Sequence, residues 1–228
     1  MSTLAMHASD GLLDAPTSLL FGAVAVSGLA VATVRARREL DDRTAPLAGL
    51  VAAFVFAVQM LNFPVLPGVS GHLLGGALAA ILVGPWTGAL CVSVVLVVQA
   101  LLFADGGLTA LGANITNMAL LGTAAGYLVA VALRRFATRS RAGLLAVAFT
   151  AALVNTVVAA GGFVVEYAIG GQGAVSLGGF AAALLGVHVL IGVGEGVITA
   201  LTVGAVASAR PDLVHLLRGA PVAREVAR

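Results

Sequence analysis

The histidines are the residues whose types and spacing first suggest chemistry in this chain. Of the four, His7 directly follows Met6, and His72 lies in a stretch rich in proline and glycine. If the mature chain begins at Met6, its α-amine, the His7 amide nitrogen and the His7 imidazole Nδ1 close two adjacent chelate rings around a metal. His72 then supplies a fourth nitrogen. A planar nitrogen set favours Ni(II), Cu(II) or low-spin Co(II) over tetrahedral zinc, so the sequence predicts a metal site at Met6, His7 and His72.

The free α-amine in this site depends on where the chain starts. The sequence carries five residues ahead of Met6, and a peptide bond to Ala5 would remove the primary amine. These five residues have neither the basic charge nor the apolar core of a signal peptide. We therefore expect translation to begin at Met6, and we expect this methionine to be retained because His7 is large.

A second pair of polar residues lies near the end of the chain. His188 and Glu195 are seven residues apart in an apolar segment and therefore share one helical face. A glutamate inside a membrane is a candidate functional residue. The alternative is a structural role, in which Glu195 forms a hydrogen bond with His188 or with an amide on a neighbouring helix, such as Asn155 or Gln99. We expect His215, in the tail, to be an ordinary surface histidine.

Composition indicates an integral membrane protein. The 228 residues are 60% hydrophobic and 10% charged, and their mean hydropathy is +1.08. Ordinary soluble domains contain about 25% charged residues. Apolar segments leave no room for a separate soluble domain. We predict an all-α, polytopic membrane helix bundle in one domain, residues 1–228, with an external metal-binding segment at 6–14 and a cytoplasmic tail at 211–228.

The arginines predict the topology of this bundle. All twelve basic residues are arginines. They fall in three groups, which lie at 35–43, 134–141 and 210–228 and follow apolar segments. Cytoplasmic loops carry the excess of basic residues, so an external N-terminus and a cytoplasmic C-terminus place every arginine inside. This arrangement needs an odd number of crossings. The seven predicted segments are 15–34, 45–64, 71–84, 86–104, 114–133, 142–166 and 177–208.

The third predicted segment is irregular. Pro64 and Pro67 precede it, so a helix is expected to begin only near Ser70 and to continue for about 14 residues, too few to span about 30 Å. This prediction places His72 in the first turn, facing a pocket open to the outside. The positive end of the helix would then keep the imidazole neutral and able to bind a metal.

The predicted external side carries acidic residues and no arginine. A negative face attracts cations, whereas a purely structural role would make these residues helix caps and solvated loop charges. Asp14, before Ala15 and Pro16, has the pattern of a helix N-cap. The loop 105–112 contains three glycines and is a candidate mobile cover over the metal site, or a set of plain turns. The acidic residues are Asp10, Asp14, Asp105 and Glu166.

Several activities are excluded or disfavoured by the residues present. Without lysine there is no Walker A motif and no Schiff base, so this chain is expected to bind no ATP. The dispersed arginines do not form a nucleic-acid surface. Ser70 lies near His72, but "GVSGH" is not a nucleophile elbow, and no His-Glu-x-x-His zinc motif occurs. We therefore predict that the chain is not an enzyme, and that Cys91 is a small core residue.

Four motifs together resemble a known family. "MHASDGLL", "GVSGHLLGGALAAILVGPW", "VQALLFADGGLTALGANITNMA" and "HVLIGVGEGVIT" look like the CbiM/NikM family, the substrate-capturing membrane components of energy-coupling-factor transporters for cobalt and nickel. The resemblance runs from Met6 to about Gly204. It implies a seven-helix fold and metal ligands at Met6, His7 and His72.

The resemblance also implies partners. Members of this family obtain energy from a transmembrane coupling protein and two ATPase subunits, often with a small additional membrane subunit. We accordingly expect uptake of Co(II) or Ni(II) across the cytoplasmic membrane, with the ion as transported substrate. The alternative of a stand-alone permease would use Glu195 as a proton site. The sequence does not separate cobalt from nickel.

Small residues recur at every fourth position of the second segment. Such positions allow close helix approach in lipid. They could pack within the bundle or form the docking face for the coupling protein. The four residues are Ala45, Gly49, Ala53 and Ala57, and we refer to them as the small-residue stripe.

Overall fold

The protein is a bundle of apolar helices interrupted by one β-hairpin. The computed structural model describes residues 8–66 and 69–219. In that part of the chain, five helices are long and apolar enough to cross a membrane, namely α1, α4, α5, α7 and α8. The bounds are α1 Ala15–Ala36, α2 Thr44–Gln59, β1 Asn62–Leu66, β2 Val69–His72, α3 Gly76–Val83, α4 Pro85–Leu102, α5 Leu111–Ala132, α6 Arg134–Ala137, α7 Arg141–Gly170 and α8 Leu177–Ala209.

The helix bundle agrees with the predicted fold class, with two corrections. The second predicted segment, 45–64, is helical only to Gln59, because the chain enters strand β1 at Asn62. The third predicted segment does not begin as a helix near Ser70, because the chain there forms strand β2, and α3 begins only at Gly76. Gly75 precedes α3 with a φ of 78°, a left-handed conformation that glycine adopts without steric cost. The number of membrane crossings and the orientation of the termini stay predictions.

Side-chain caps begin three of the long helices. The Thr17 amide donates to Asp14 Oδ1 at 2.8 Å, which confirms the predicted N-cap of α1. Ser140 and Ser176 cap α7 and α8 in the same way. Because each cap satisfies an amide that has no partner within its own helix, these residues fix where the spans begin.

The short helix α3 lies at the centre of the bundle. All eight of its residues are buried, although its sequence would be too short to span a bilayer alone. Gly88 lets α4 approach closely, because a Cβ there would lie 2.8 Å from the Ala80 backbone nitrogen. Gly76, at the start of α3, lies against Thr123 of α5 and Asn155 of α7. The surrounding helices therefore enclose α3.

The three arginine groups meet at one end of the bundle. Arg134 Nε donates to the Leu216 carbonyl at 2.8 Å, and Arg218 Nη2 donates to the Thr44 hydroxyl at 2.7 Å. At the same end, Glu39 accepts the amides of Trp86 and Thr87 at 3.3 and 2.7 Å and so caps α4 from outside the helix. A single basic end is what the topology prediction requires.

One face of α2 packs inward and another is exposed. Cys91 of α4 is buried, as predicted, with its thiol 3.4 Å from the Ala48 carbonyl. Val51, Val55 and Gln59 are buried on the inner face. All four residues of the small-residue stripe are exposed instead, and nothing lies within 4 Å of the Cβ that Gly49 lacks. The stripe therefore does not pack within this bundle.

Candidate metal centre

His72 is the last residue of β2. Strands β1 and β2 are antiparallel, and Asn62 pairs with His72. The His72 side chain is 3% exposed. The prediction that His72 lies in the first turn of a helix is therefore wrong: residues 73–75 separate it from α3. His72 therefore does not occupy the first-turn position on which the predicted effect of the helix N-terminus depends.

The hydrogen bond of the His72 ring selects its tautomer. Nδ1 lies 2.8 Å from the Leu73 carbonyl oxygen. A carbonyl oxygen only accepts hydrogen bonds, so Nδ1 carries the proton. The lone pair then resides on Nε2, which is the nitrogen that a metal would bind. Metal-binding histidines commonly donate their other ring N–H to a carbonyl or a carboxylate in this way.

The turn that follows His72 is held by two helices. The buried carboxylate of Glu195, on α8, accepts the Leu74 amide at 2.7 Å and the Gly75 amide at 3.0 Å. The side-chain amide Nε2 of Gln59, on α2, donates to the Leu74 carbonyl at 2.8 Å. These three hydrogen bonds fix the backbone from Leu73 to the start of α3, and so fix the carbonyl that orients His72.

Glu195 also bonds to α7. Asn155 Nδ2 donates to Oε1 at 3.1 Å, and the Thr156 hydroxyl lies 2.8 Å from Oε2. The predicted hydrogen bond to Asn155 is therefore confirmed. The other two candidate partners do not bond to Glu195: His188 Nδ1 donates to the Leu184 carbonyl at 2.7 Å, and the side-chain amide of Gln99 has no hydrogen-bond partner among the described residues.

His188 packs behind strand β2. A Cβ on Gly71 would lie 2.6 Å from Ile191 Cδ1 and 3.0 Å from His188 Cε1, so only glycine lets α8 come this close. Successive side chains of a strand point to opposite faces. His188 therefore supports the face of β2 opposite the His72 side chain.

The predicted ligands Met6 and His7 lie outside the described residues. Their neighbour Ala8 is buried, and it lines a cavity of about 20 Å³ together with Phe163 and Leu184. Leu184 is one helical turn from His188, about 6 Å along α8. Ala8, the residue after His7, thus shares a cavity with one turn of α8, and Gly71, the residue before His72, lies against the next turn.

Backbone hydrogen bonds hold the segment 8–14 across one end of the bundle. The Gly107 amide donates to the Ala8 carbonyl at 2.9 Å, and the Gln172 amide donates to the Leu12 carbonyl at 2.9 Å. Leu13 forms a β-bridge with Gly171. The loop 105–112, predicted as a cover, therefore lies against the segment that leads away from Met6 and His7.

The four predicted external acidic residues lie at this end in different environments. Asp14 is the cap of α1, and Asp10 accepts hydrogen bonds from the Thr109 amide and hydroxyl at 2.8 and 2.6 Å. Asp105 is buried, at 7% exposed. Glu166 is fully buried on α7, and its carboxylate oxygens have no hydrogen-bond partner among the described residues. Glu166 is therefore not a solvated loop charge.

Two features of the structure near this end were not predicted. Gln59 is fully buried and orients the turn after His72, which its position in an apolar helix could have indicated. Residues Ile115–Gly122 of α5 form a π-helix, a form that often occurs at functional sites. Within the described ranges 8–66 and 69–219, no three His, Cys, Asp or Glu side chains form a metal site. His72 is thus the predicted ligand that the structure describes.

Known proteins match most of this chain. The family described as CbiM, cobalt uptake substrate-specific transmembrane region, matches residues 7–213. A fused protein of Archaeoglobus fulgidus that is named NikMN, for nickel transport, is 42% identical over 210 residues, covering 92% of this chain and 68% of that protein. The cobalt transport protein CbiM of Sorangium cellulosum is 34% identical over 220 residues, covering 93% of this chain and 96% of the relative.

Solved structures show the same fold. A crystal structure of a transition metal transporter superposes with a TM-score of 0.78 at 27% sequence identity, covering 94% of this chain and all of that chain. A truncated transition metal transporter superposes with a TM-score of 0.77 over 90% of this chain.

Proposed function

The chain belongs to the CbiM family, the cobalt uptake substrate-specific transmembrane regions, and on this premise we propose that it captures Co(II) or Ni(II) for uptake as the substrate-binding membrane subunit of an energy-coupling-factor transporter. Membership of a family of cobalt and nickel transporters agrees with the motifs identified in the sequence. The chain is a multi-pass membrane protein. We place it in the cytoplasmic membrane.

The observation that carries the proposal is the state of His72. His72 is buried, and its Nδ1 donates a hydrogen bond to the Leu73 carbonyl. Side chains of α2 and α8 hold the backbone that follows it. In this tautomer Nε2 carries the lone pair that could bind a metal. Metal-binding histidines commonly have their tautomer and orientation set by such a hydrogen bond.

We propose Met6 and His7 as the remaining ligands. The α-amine of Met6, the amide and imidazole of His7, and Nε2 of His72 would form a planar set of four nitrogens. The position of Ala8 supports this, because Ala8 lines a cavity with Leu184, which lies one turn along α8 from His188, the residue that packs behind β2. The segment 8–14 and loop 105–112 would exclude water above the bound ion.

Energy would come from partner subunits, and transport provides the test. We expect vesicles that contain this chain, the coupling protein and the ATPase subunits to accumulate Co(II) or Ni(II) when ATP is present on the ATPase side. Vesicles that contain this chain alone should not accumulate the ion. ATP-independent accumulation that follows an imposed proton gradient, with this chain alone, would instead identify a stand-alone permease.

The small-residue stripe is our candidate docking face for the coupling protein. Its four residues are exposed on α2, and small side chains permit close backbone approach between helices in lipid. We expect Ala53→Leu to reduce co-purification of the coupling protein by about 10-fold, a loss of about 1.4 kcal/mol in binding. Metal binding by the isolated chain should not change.

The control is Ala182→Leu, which enlarges another exposed alanine on α8. This variant should co-purify the coupling protein at the wild-type level. If Ala53→Leu also retains wild-type co-purification, the stripe is not the docking face.

A further inference from the structure

One peptide group joins His72 to Glu195. The carbonyl of the Leu73–Leu74 peptide bond accepts a hydrogen bond from His72 Nδ1 at 2.8 Å. The amide of the same peptide bond donates to Glu195 Oε2 at 2.7 Å. The imidazole, one planar peptide group and a buried carboxylate therefore form a continuous hydrogen-bonded chain.

This arrangement acts on the imidazole electrostatically as well as geometrically. A hydrogen bond to an amide N–H polarises the peptide group and makes its carbonyl oxygen a stronger acceptor. The Leu73 carbonyl is therefore expected to hold the Nδ1 proton more firmly than an isolated carbonyl would. Nε2 then becomes the more basic, ligating nitrogen, as when a carboxylate contacts a metal-binding histidine directly.

Glu195 also determines where this peptide group lies. It holds the next amide, that of Gly75, with Oε1, and it is itself held by Asn155 and Thr156 of α7. Removing the carboxylate would leave two buried amides without acceptors and would free the turn to rotate. Rotation of the Leu73–Leu74 peptide would carry the His72 acceptor away from Nδ1.

We propose that Glu195 is a positioning residue of the metal site, which sets the tautomer and direction of the His72 ring through the Leu73–Leu74 peptide group. This inference rests on the proposed function, since it assigns His72 as a ligand. Glu195 itself does not touch the metal. In this proposal Glu195 is not a proton site within the membrane. Its role is to orient the metal ligand His72.

The test compares two Glu→Gln substitutions in the purified chain that begins at Met6. Glu195→Gln keeps the size of the side chain but turns one acceptor oxygen into an N–H donor. Changes to groups that orient metal ligands typically weaken affinity by about 10–100-fold, and we expect Ni(II) to bind to this variant with a loss in that range. Ni(II) affinity would be measured by competition with a chromophoric chelator, alongside the melting temperature of each variant.

Glu39→Gln is the matched control. Glu39 likewise accepts two successive backbone amides at the start of a helix, those of Trp86 and Thr87, but at the arginine-rich end of the bundle. Its substitution should lower the melting temperature while leaving Ni(II) affinity at the wild-type value. If Glu195→Gln leaves Ni(II) affinity as unchanged as Glu39→Gln does, the positioning role is wrong.

Two further measurements separate the possible failures. His72→Ala should abolish tight Ni(II) binding. If His72→Ala loses tight Ni(II) binding and Glu195→Gln keeps it, the proposed metal site stands and only the role of Glu195 is wrong. If His72→Ala binds Ni(II) at the wild-type affinity, both the metal site and the role of Glu195 are rejected. If Glu195→Gln does not fold, ¹⁵N NMR of the unaltered, metal-free chain decides: we expect His72 to be protonated on Nδ1, and protonation on Nε2 would overturn the inference.

Discussion

Replacing His72 by alanine is expected to weaken Ni(II) or Co(II) binding by about 100-fold or more. Four-ligand metal sites in small domains bind with about 10–16 kcal/mol, so one ligand carries about 3 kcal/mol. Each 1.4 kcal/mol changes affinity tenfold. The measurement is the dissociation constant of the purified chain, supported by its metal content after removal of free ion.

The bundle should remain folded in this variant. The side chain of His72 bonds to the adjacent Leu73 carbonyl, whereas Leu74 and Gly75 are still held by Glu195. The loss of stability should include one unsatisfied carbonyl, about 1–3 kcal/mol. His215→Ala is the matched control, because His215 lies with the arginine groups at the other end and contacts Tyr127. Unchanged metal affinity in His72→Ala would reject the site.

A chain that begins at Met6 is expected to bind Ni(II) or Co(II) about 100-fold or more tightly than a chain that retains Met1–Ala5. A peptide bond at Met6 replaces a primary amine, which is a good ligand, by an amide nitrogen that must first lose its proton. One nitrogen of four would be lost, as in His72→Ala, so the expected loss is similar. Intact-mass analysis defines the terminus of each preparation before its affinity is measured.

A third preparation distinguishes the loss of the free α-amine from the steric effect of the added residues. Adding one alanine ahead of Met6 blocks the amine as completely as five residues do, but it adds little volume. The one-residue and five-residue extensions should therefore bind equally weakly. Tight binding by the chain whose measured mass includes Ser2–Ala5 would contradict the proposed coordination, and the transport assignment would then rest on family membership.

The helices were predictable because a bilayer imposes a simple pattern. Backbone amides in lipid must be satisfied within the segment, so an apolar run of about 20 residues becomes a helix. The predicted segment 177–208 corresponds to α8, Leu177–Ala209, and 15–34 corresponds to α1, Ala15–Ala36. The same constraint explains why Asn155 was correctly predicted as a partner of Glu195, since buried polar side chains in a bundle bond to one another.

The hairpin and the main role of Glu195 were not predictable for a related reason. Pro64 and Pro67 indicated irregular backbone, but strand pairing depends on contacts with α8 that no local pattern encodes. Leu74 and Gly75 gave no signal as partners of Glu195, because they bond through backbone amides, which every residue except proline possesses. The sequence could thus select His72 and Glu195 as candidates, but not the backbone groups that join them.

The buried cysteine has a practical consequence for mapping the assembled complex. Cys91 is the only cysteine of the sequence, and its side chain is enclosed between α4 and α2. Maleimide and nitroxide reagents dissolved in the buffer should therefore react with it slowly. Ala182→Cys, at the exposed position used above as a control, could be labelled selectively in the otherwise native chain, and electron-spin distance measurements to a labelled partner would show how the subunits are arranged.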